Sequence, residues 1–185
     1  MIEDILLDAQ DKMDTTIEVA SEAFSHIRSG RASAGMFTPI LVEYYGAPTP
    51  LQQLASVSIP EPRTVMISPY DRTVMQAIDK ALRESDLGVN PVDDGNVLRV
   101  NLPPLTEERR KDYVKLARTK AEEAKISIRG VRRKAKDELD RIKKDGEAGE
   151  DEVERAEKEL ESITKRYTDQ VDELLEGKEA ELLEV

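Results

Sequence analysis

The side chains that most enzymes use for catalysis are scarce in this sequence. It has one histidine, His26, and no cysteine, so a histidine-based triad or a zinc site would need unusual ligands. A lone histidine on a helix is more often packed or half-exposed than catalytic. No glycine-rich phosphate loop occurs, and the acids Asp93 and Asp94 precede Gly95 and Asn96, which favour a turn over paired catalytic carboxylates. We therefore expect a protein that is not an enzyme and has no cofactor and no metal site.

Positive charge is concentrated in one segment of an acidic chain. The formal net charge is -11, yet residues 105–144 contain 15 Lys and Arg against 8 Asp and Glu, whereas residues 145–185 contain 5 against 16. At about 100° per residue, seven cations of the first segment fall within about 60° of one another on a helix. This basic stripe consists of Lys111, Arg118, Lys125, Arg129, Arg132, Lys136 and Lys143.

The basic stripe has two interpretations. The ordinary one is a solvated helix face that is neutralised by acids one turn away, but the acids near the stripe on its own helix, Glu122 among them, are fewer than its seven cations. Like charges in a line are tolerated best when a polyanion neutralises them, and arginine suits bidentate phosphate contacts. No aromatic residues interleave, so the phosphates of a structured nucleic acid are a better target than single-stranded bases. We predict a solvent-facing stripe without intramolecular partners that binds such phosphates.

Three long amphipathic helices must position this stripe. Apolar residues recur at spacings of three and four from Leu6 to Ile27, from Val114 to Ile142 and from Val153 to Leu174. Thr106 is the expected N-cap of the second helix, and Gly146 and Gly149 separate the second helix from the third. No helix can bury its apolar face alone, so we expect a long three-helix bundle with shallow crossing angles.

Residues 31–104 have a different pattern and contain all nine prolines. Short β-branched or aromatic segments bounded by Gly, Pro, Asn and Asp indicate strands, and one helix is expected from Arg72 to Glu84. The fold class is therefore α+β, with a small β/α/β domain (31–104) inserted into a bundle formed by 1–30 and 105–185. The connections near 29–35 and 102–105 are expected to act as hinges. The predicted strands are ILVEYY, ASVSIP, RTVMIS and NVLRVNL.

Neither a signal peptide nor an apolar run long enough to span a bilayer is recognisable. We expect a soluble, cytoplasmic protein that makes no use of a membrane.

Several motifs spread along the whole chain resemble one known family. They are IRSGRAS at 27–33, VEYYGAPTPLQQLASV at 42–57, SDLGVNP at 85–91, LPPLTEERRKD at 102–112, VRRKAKDEL at 131–139 and the C-terminal GKEAELLEV. Together they are similar to the bacterial ribosome recycling factors, and the acidic composition resembles actinobacterial members.

The resemblance implies an L-shaped two-domain molecule and a non-enzymatic function. Such a factor binds the post-termination ribosome and, with elongation factor G and GTP, splits it into subunits and releases mRNA and deacylated tRNA. The bundle would contact rRNA of the large ribosomal subunit, the inserted domain would face elongation factor G, and the factor would act as a monomer. The alternative is a helical scaffold or chaperone that binds a polyanion through the basic stripe.

The family's functional positions can be carried over to this chain. The rRNA-binding candidates that the resemblance implies are Arg132 and Arg129 first and Arg110 and Arg133 next, and the basic stripe adds Lys111, Arg118, Lys125 and Lys136. The hinge candidates are Ser29, Gly30, Arg31, Leu102, Pro103 and Pro104. Gly130 departs from the family, in which a polar helix-forming residue is usual, and we expect it to cost about 1 kcal/mol of helix stability.

Overall fold

The computed structural model describes residues 1–184, which divide into two compact units. The helical unit comprises Met1–Ile27 and Tyr113–Ala180, and the mixed unit comprises Arg28–Asp112 together with the residues from Glu181 onward. Residues 105–112 and the segment from Glu181 therefore belong to the mixed unit, although the sequence pattern placed them with the bundle.

Helices and strands follow one another in an α+β order. The α-helices are α1 (Ile2–Ser25), α2 (Leu51–Leu54), α3 (Met75–Glu84), α4 (Glu107–Lys144) and α5 (Glu150–Leu183). The strands are β1 (Leu41–Tyr44), β2 (Ala47–Pro50), β3 (Ala55–Glu61), β4 (Thr64–Pro69), β5 (Val92–Asp93) and β6 (Leu98–Asn101). Short 3-10 helices occupy Ala34–Met36 and Arg72–Val74. The predicted fold class, a long helical bundle with a small β-rich domain, is confirmed.

The helical unit is held together by the apolar faces that the sequence periodicity predicts. Met13 of α1, together with Ile128 and Leu139 of α4, is completely buried, and Val171 of α5 is buried with them. Ala117, Ala121 and Ala124 supply a small-residue seam on α4, which allows neighbouring helices to approach closely. Complete burial of side chains of this size provides the main stabilisation of the bundle.

The turn between α4 and α5 is a Schellman motif. The Gly146 N–H donates to the Lys143 carbonyl at 3.2 Å, and the Glu147 N–H donates to the Ile142 carbonyl at 3.1 Å. Gly146 has φ +68°, a conformation that glycine adopts without steric cost. At the other end of α4, the Arg109 N–H donates to Thr106 Oγ1 at 3.2 Å, so the predicted N-cap is confirmed.

The mixed unit contains a four-stranded antiparallel sheet in the order β3-β4-β6-β5 and a separate β1-β2 hairpin. Val65, Ile67, Leu98 and Val100 point from the sheet into a core that Ile78 of α3 also enters. The four predicted strands are confirmed, as is the helix ending at Glu84, although its first turn, Arg72–Val74, is 3-10 rather than α.

Two strands were not predicted. β2 has the sequence APTP, and two prolines argue against a strand because proline cannot donate to a hydrogen-bond ladder. β2 tolerates them because its sheet has only two strands, which leaves an open edge. β5 has only two residues, which is too short for an alternating pattern to be recognised. Within residues 1–184, no helix is long and apolar enough to cross a membrane.

Candidate nucleic-acid interface

The structure divides the predicted rRNA-binding residues between the two units. Arg110 and Lys111 lie near the start of α4, within the mixed unit. Lys111 forms an ion pair with Glu107 one turn earlier, at 3.3 Å. The remaining candidates, all on α4 within the helical unit, are Arg118, Lys125, Arg129, Arg132, Arg133 and Lys136.

The expectation that the basic stripe lacks intramolecular counter-charges is wrong. Carboxylates of α5 pair with three of its cations at seven-residue intervals along α4. The Arg118 Nε lies 2.7 Å from Glu179 Oε1, the Lys125 ammonium pairs with Asp172, and the Arg132 Nη1 lies 2.8 Å from Glu161 Oε1. We call these three pairs the ion-pair ladder. They form because α5 runs antiparallel to α4. The cation nearest the start of α4 therefore pairs with the acid nearest the end of α5, and the order reverses along the two helices.

The acids of the ladder lie on one side of α5. With Asp172 as the reference, Glu161 and Glu179 are each displaced by about 20° at 100° per residue. The basic stripe therefore flanks the α4–α5 contact instead of facing only solvent. A helical wheel of α4 alone could not reveal this, because it contains no residue of the neighbouring helix. The sequence does contain one indication of this pairing: the cations at 118 and 125 and the acids at 172 and 179 are both seven residues apart.

The solvent-facing part of the candidate site is smaller than the predicted stripe. We define the outer basic face as Arg129, Arg133 and Lys136, which are all exposed. Arg129 pairs with Glu122 at 3.2 Å on the same helix. No carboxylate among residues 1–184 lies within 4.0 Å of the charged atoms of Arg133 or Lys136. Arg129 precedes Arg133 by four residues and Lys136 by seven, so the three side chains are neighbours on the helix surface.

Arg132 is paired with an acid of α5 and is also partly exposed to solvent. Glu161 accepts a hydrogen bond from one Nη1 donor, and the Arg132 Nε is buried with no hydrogen-bond partner among the described residues. A guanidinium carries five N–H donors in a planar fork, so one carboxylate oxygen satisfies only part of its capacity. The side chain is 38% exposed. Arg132 can therefore reach an external acceptor while it remains paired with Glu161.

Gly130 lies on the same stretch of α4, between Arg129 and Val131. Its φ is not in the left-handed region, and a Cβ added to it would meet no atom within 4 Å apart from its chain neighbours and the adjacent backbone of α4. Neither backbone geometry nor packing requires a glycine here, so the structure gives no reason for a glycine at this position.

The predicted hinge residues all lie within the mixed unit. Arg28, next to the first hinge segment, donates from Nη2 to the Pro103 carbonyl of the second segment at 3.3 Å. The Arg31 Nε lies 2.8 Å from Glu184 Oε2. Gly30, Arg31, Leu102 and Pro104 line one cavity of about 650 Å³, and the rRNA-binding candidate Arg110 lines it as well. Ser29 and Pro103 do not line this cavity.

The residues considered for catalysis are not assembled into a site. His26 is half-exposed and lies 3.8 Å from Glu22, one turn earlier on α1. Asp93 accepts a hydrogen bond from the Gly95 N–H at 2.9 Å, and Gly95 has φ +93°, so the predicted turn is confirmed. Among residues 1–184, no group of three or more His, Cys, Asp or Glu side chains is arranged to hold a metal ion.

Comparison with known proteins gives a consistent result over the whole chain. Residues 20–183 match the family model described as "Ribosome recycling factor". Two ribosome-recycling factors are similar over the full length of both chains: that of Kineococcus radiotolerans is 68% identical and that of Streptomyces coelicolor is 60% identical. The resemblance to actinobacterial members is thereby confirmed.

Two solved structures are also similar. A solution structure of the ribosome recycling factor has a TM-score of 0.79 and 40% identity, covering 100% of this chain and 98% of its own. The Thermus thermophilus factor, placed with Escherichia coli elongation factor G on the E. coli post-termination complex, has a TM-score of 0.69 and 41% identity, with both chains fully covered.

Proposed function

The chain belongs to the ribosome recycling factor family, whose members are translation factors and not enzymes, and from this premise we propose how it acts. It binds the ribosome that remains on mRNA after termination. With elongation factor G and GTP, it splits that ribosome into subunits and releases mRNA and deacylated tRNA. It works in the cytoplasm as a monomer. The comparison that bears most directly on this proposal is the similar factor placed with elongation factor G on a post-termination complex.

The helical unit is the part that binds rRNA of the large ribosomal subunit. The single observation that carries this assignment is the outer basic face, where Arg133 and Lys136 are exposed and unpaired among residues 1–184 on a chain of formal net charge -11. Negative charge over the rest of the surface disfavours binding of RNA elsewhere on the molecule. Contact through α4 alone also suits a structured RNA, because a straight helix presents its cations to phosphates in a line.

The inserted domain, residues 31–104, faces elongation factor G. Its sheet and α3 enclose a core of their own, so it can receive force as a rigid body. Residues 29–31 and 102–104 serve as hinges, and the contact between Arg28 and the Pro103 carbonyl holds the neighbourhood of the first segment against the second. The free energy for splitting comes from GTP hydrolysed by elongation factor G, since the sequence contains no phosphate-binding loop.

Light scattering of post-termination ribosomes tests this function directly. Post-termination complexes are mixed with this chain, elongation factor G and GTP, and the decrease in scattering that accompanies subunit dissociation is recorded. We expect dissociation only when all three are present. Unchanged scattering in the complete mixture, with a known recycling factor active in parallel, would refute the proposal.

A further inference from the structure

The ion-pair ladder places acids of α5 where RNA phosphates would otherwise bind. Arg118, Lys125 and Arg132 each contact one carboxylate, from Glu179, Asp172 and Glu161 respectively. A carboxylate and a phosphate compete for the same donors, since both accept charge-assisted hydrogen bonds from guanidinium and ammonium groups. Three of the predicted rRNA-binding residues are therefore already occupied in the free protein.

The ladder is open enough to be exchanged. Each pair has one side chain that is more than half exposed, namely Arg118 at 65%, Asp172 at 54% and Glu161 at 61%, so water screens these pairs and each contributes little to folding stability. Their partners Glu179, Lys125 and Arg132 are more enclosed, at 27%, 22% and 38% exposed. Because the cations recur every seven residues, their charges are about 10 Å apart along α4 at 1.5 Å per residue. An RNA must present several phosphates at that spacing to displace all three carboxylates together.

We propose that Glu161, Asp172 and Glu179 are specificity-determining residues for RNA binding. In the free protein they hold three cations, so an arbitrary RNA gains contacts only with the outer basic face. An RNA surface whose phosphates match the ladder replaces the carboxylates and gains three further contacts. The acids thus reduce affinity for unrelated RNA more than affinity for the matching surface. This inference deepens the proposed function and rests on it.

The test compares two variants of the full chain with the same change in net charge. One carries Glu161→Gln, Asp172→Asn and Glu179→Gln. The control carries Glu152→Gln, Glu159→Gln and Glu173→Gln, three exposed acids of α5 that lie about 100° to 160° away from Asp172 on the helix. Circular dichroism and urea unfolding establish that both variants fold.

Binding is measured for an RNA duplex of unrelated sequence and for isolated large ribosomal subunits, at several salt concentrations. In the ladder variant we expect roughly tenfold or greater tightening on the duplex, with the plot of log K against log salt steeper by about 0.7 to 0.9 for each cation released. Large-subunit binding should tighten by a smaller factor, so discrimination falls. The control should tighten both equally and only slightly.

Different outcomes separate the inference from the function on which it rests. Equal tightening of duplex binding by the two variants would show an effect of net charge alone and would overturn the inference. An unchanged salt slope in the ladder variant would overturn it as well. Failure of the unmodified chain to bind large subunits would instead refute the proposed function, whatever the variants do on the duplex. If one substitution impairs folding, Asp172→Asn against Glu173→Gln repeats the comparison with a single charge.

Discussion

Arg132 of α4 and Glu161 of α5 form a direct ion pair, with Arg132 Nη1 2.8 Å from Glu161 Oε1. The next residue, Arg133, has no carboxylate within 4.0 Å among residues 1–184. Two adjacent arginines on one helix therefore have different roles in the free protein. Arg132 links two helices of the bundle, whereas Arg133 is available to an external partner from the start.

Removing two of the three cations of the outer basic face should weaken binding to the large subunit. The double variant Arg133→Gln, Lys136→Gln loses two exposed cations, and we expect a 10- to 100-fold loss of affinity, about 1 to 3 kcal/mol, at low salt. The slope of log K against log salt should become shallower by the amount expected for the loss of about two phosphate contacts. Co-sedimentation over a salt titration measures both. The control is Lys120→Gln, which removes a cation paired with Glu123 on the opposite side of α4. Equal losses in the control and the double variant would contradict the assignment of the face.

Gly130→Ala should stabilise the helical unit. Alanine is about 0.8 to 1.0 kcal/mol more favourable than glycine inside a helix, and its Cβ would meet no atom within 4 Å. Urea unfolding should show the free energy of unfolding rising by about 0.5 to 1 kcal/mol. Gly146→Ala is the control and should lower the free energy of unfolding, because φ +68° strains any residue with a Cβ. If Gly130→Ala also weakens large-subunit binding, the bare backbone at this position has a role in recognition.

Tyr167 should make stability fall at alkaline pH. Burial raises the pKa of Tyr167 above its ordinary value of 10.0, and the hydrogen bond from its hydroxyl to Asp14 adds to the effect. Below pH 10 the phenol is neutral in both the folded and the unfolded state, so its stabilisation is fully present. As pH rises above 10, Tyr167 ionises first in the unfolded state, so the free energy of unfolding falls. The fall continues until pH exceeds the raised pKa of Tyr167 in the folded state.

Tyr167→Phe separates this effect from other alkaline titrations. We expect the variant to lose about 1 kcal/mol at neutral pH, since one hydrogen bond is removed, and to show a shallower decline between pH 9 and 11. Urea unfolding at each pH provides the comparison with the unmodified chain. Identical slopes for the two proteins would mean that Tyr167 does not control the decline.

The β1-β2 hairpin carries backbone strain at Tyr45. Tyr44 pairs with Ala47, so Tyr45 and Gly46 form a two-residue turn in which both have positive φ, 49° and 78°. Asparagine is preferred over a bulky residue at the first of these positions. Tyr45→Asn should raise the free energy of unfolding by up to about 1 kcal/mol. Part of the gain is offset by loss of the edge-to-face contact with Tyr44, whose ring centroid is 4.4 Å away.

The effect of Tyr45→Asn on subunit dissociation tests whether this side chain also has a role in function. Because Tyr45 is 86% exposed, its removal leaves the core of the mixed unit unchanged. If Tyr45→Asn increases stability in thermal unfolding and leaves subunit dissociation unaffected, the tyrosine is dispensable. Slower dissociation by a more stable variant would indicate that the exposed ring contacts the partner of the inserted domain.

The proposed second hinge, residues 102–104, should transmit force because its two prolines make it stiff. Replacing Pro103 and Pro104 by glycine makes this connection flexible, since proline restricts φ and glycine does not. We expect slower ribosome splitting in light scattering, with large-subunit binding unchanged. A variant that splits ribosomes at the normal rate would show that stiffness at residues 103 and 104 is not needed.

Local patterns in the sequence were sufficient for most of the fold. Helix ends follow from capping chemistry that involves a few neighbouring residues, as at Thr106 and Gly146. Buried faces follow from a spacing of three and four, and Met13, Ile128 and Leu139 are buried as predicted. β2 was missed because its prolines oppose a strand locally, and only its position at the edge of a two-stranded sheet permits them.

At the candidate site, local sequence patterns did not predict which cations are paired with acids. By itself, the sequence determined the existence of the basic stripe, the helix that carries it and the family to which the chain belongs. Only the tertiary structure decided which cations of the stripe are free, because α5 brings Glu161, Asp172 and Glu179 to residues 29 to 61 positions away in the chain. The charge of a side chain is a property of its residue type, whereas the neutralisation of that charge depends on which side chains lie within a few ångströms in space. Arg132 and Arg133 are identical in type and adjacent in sequence, and the packing of α5 against α4 makes them different.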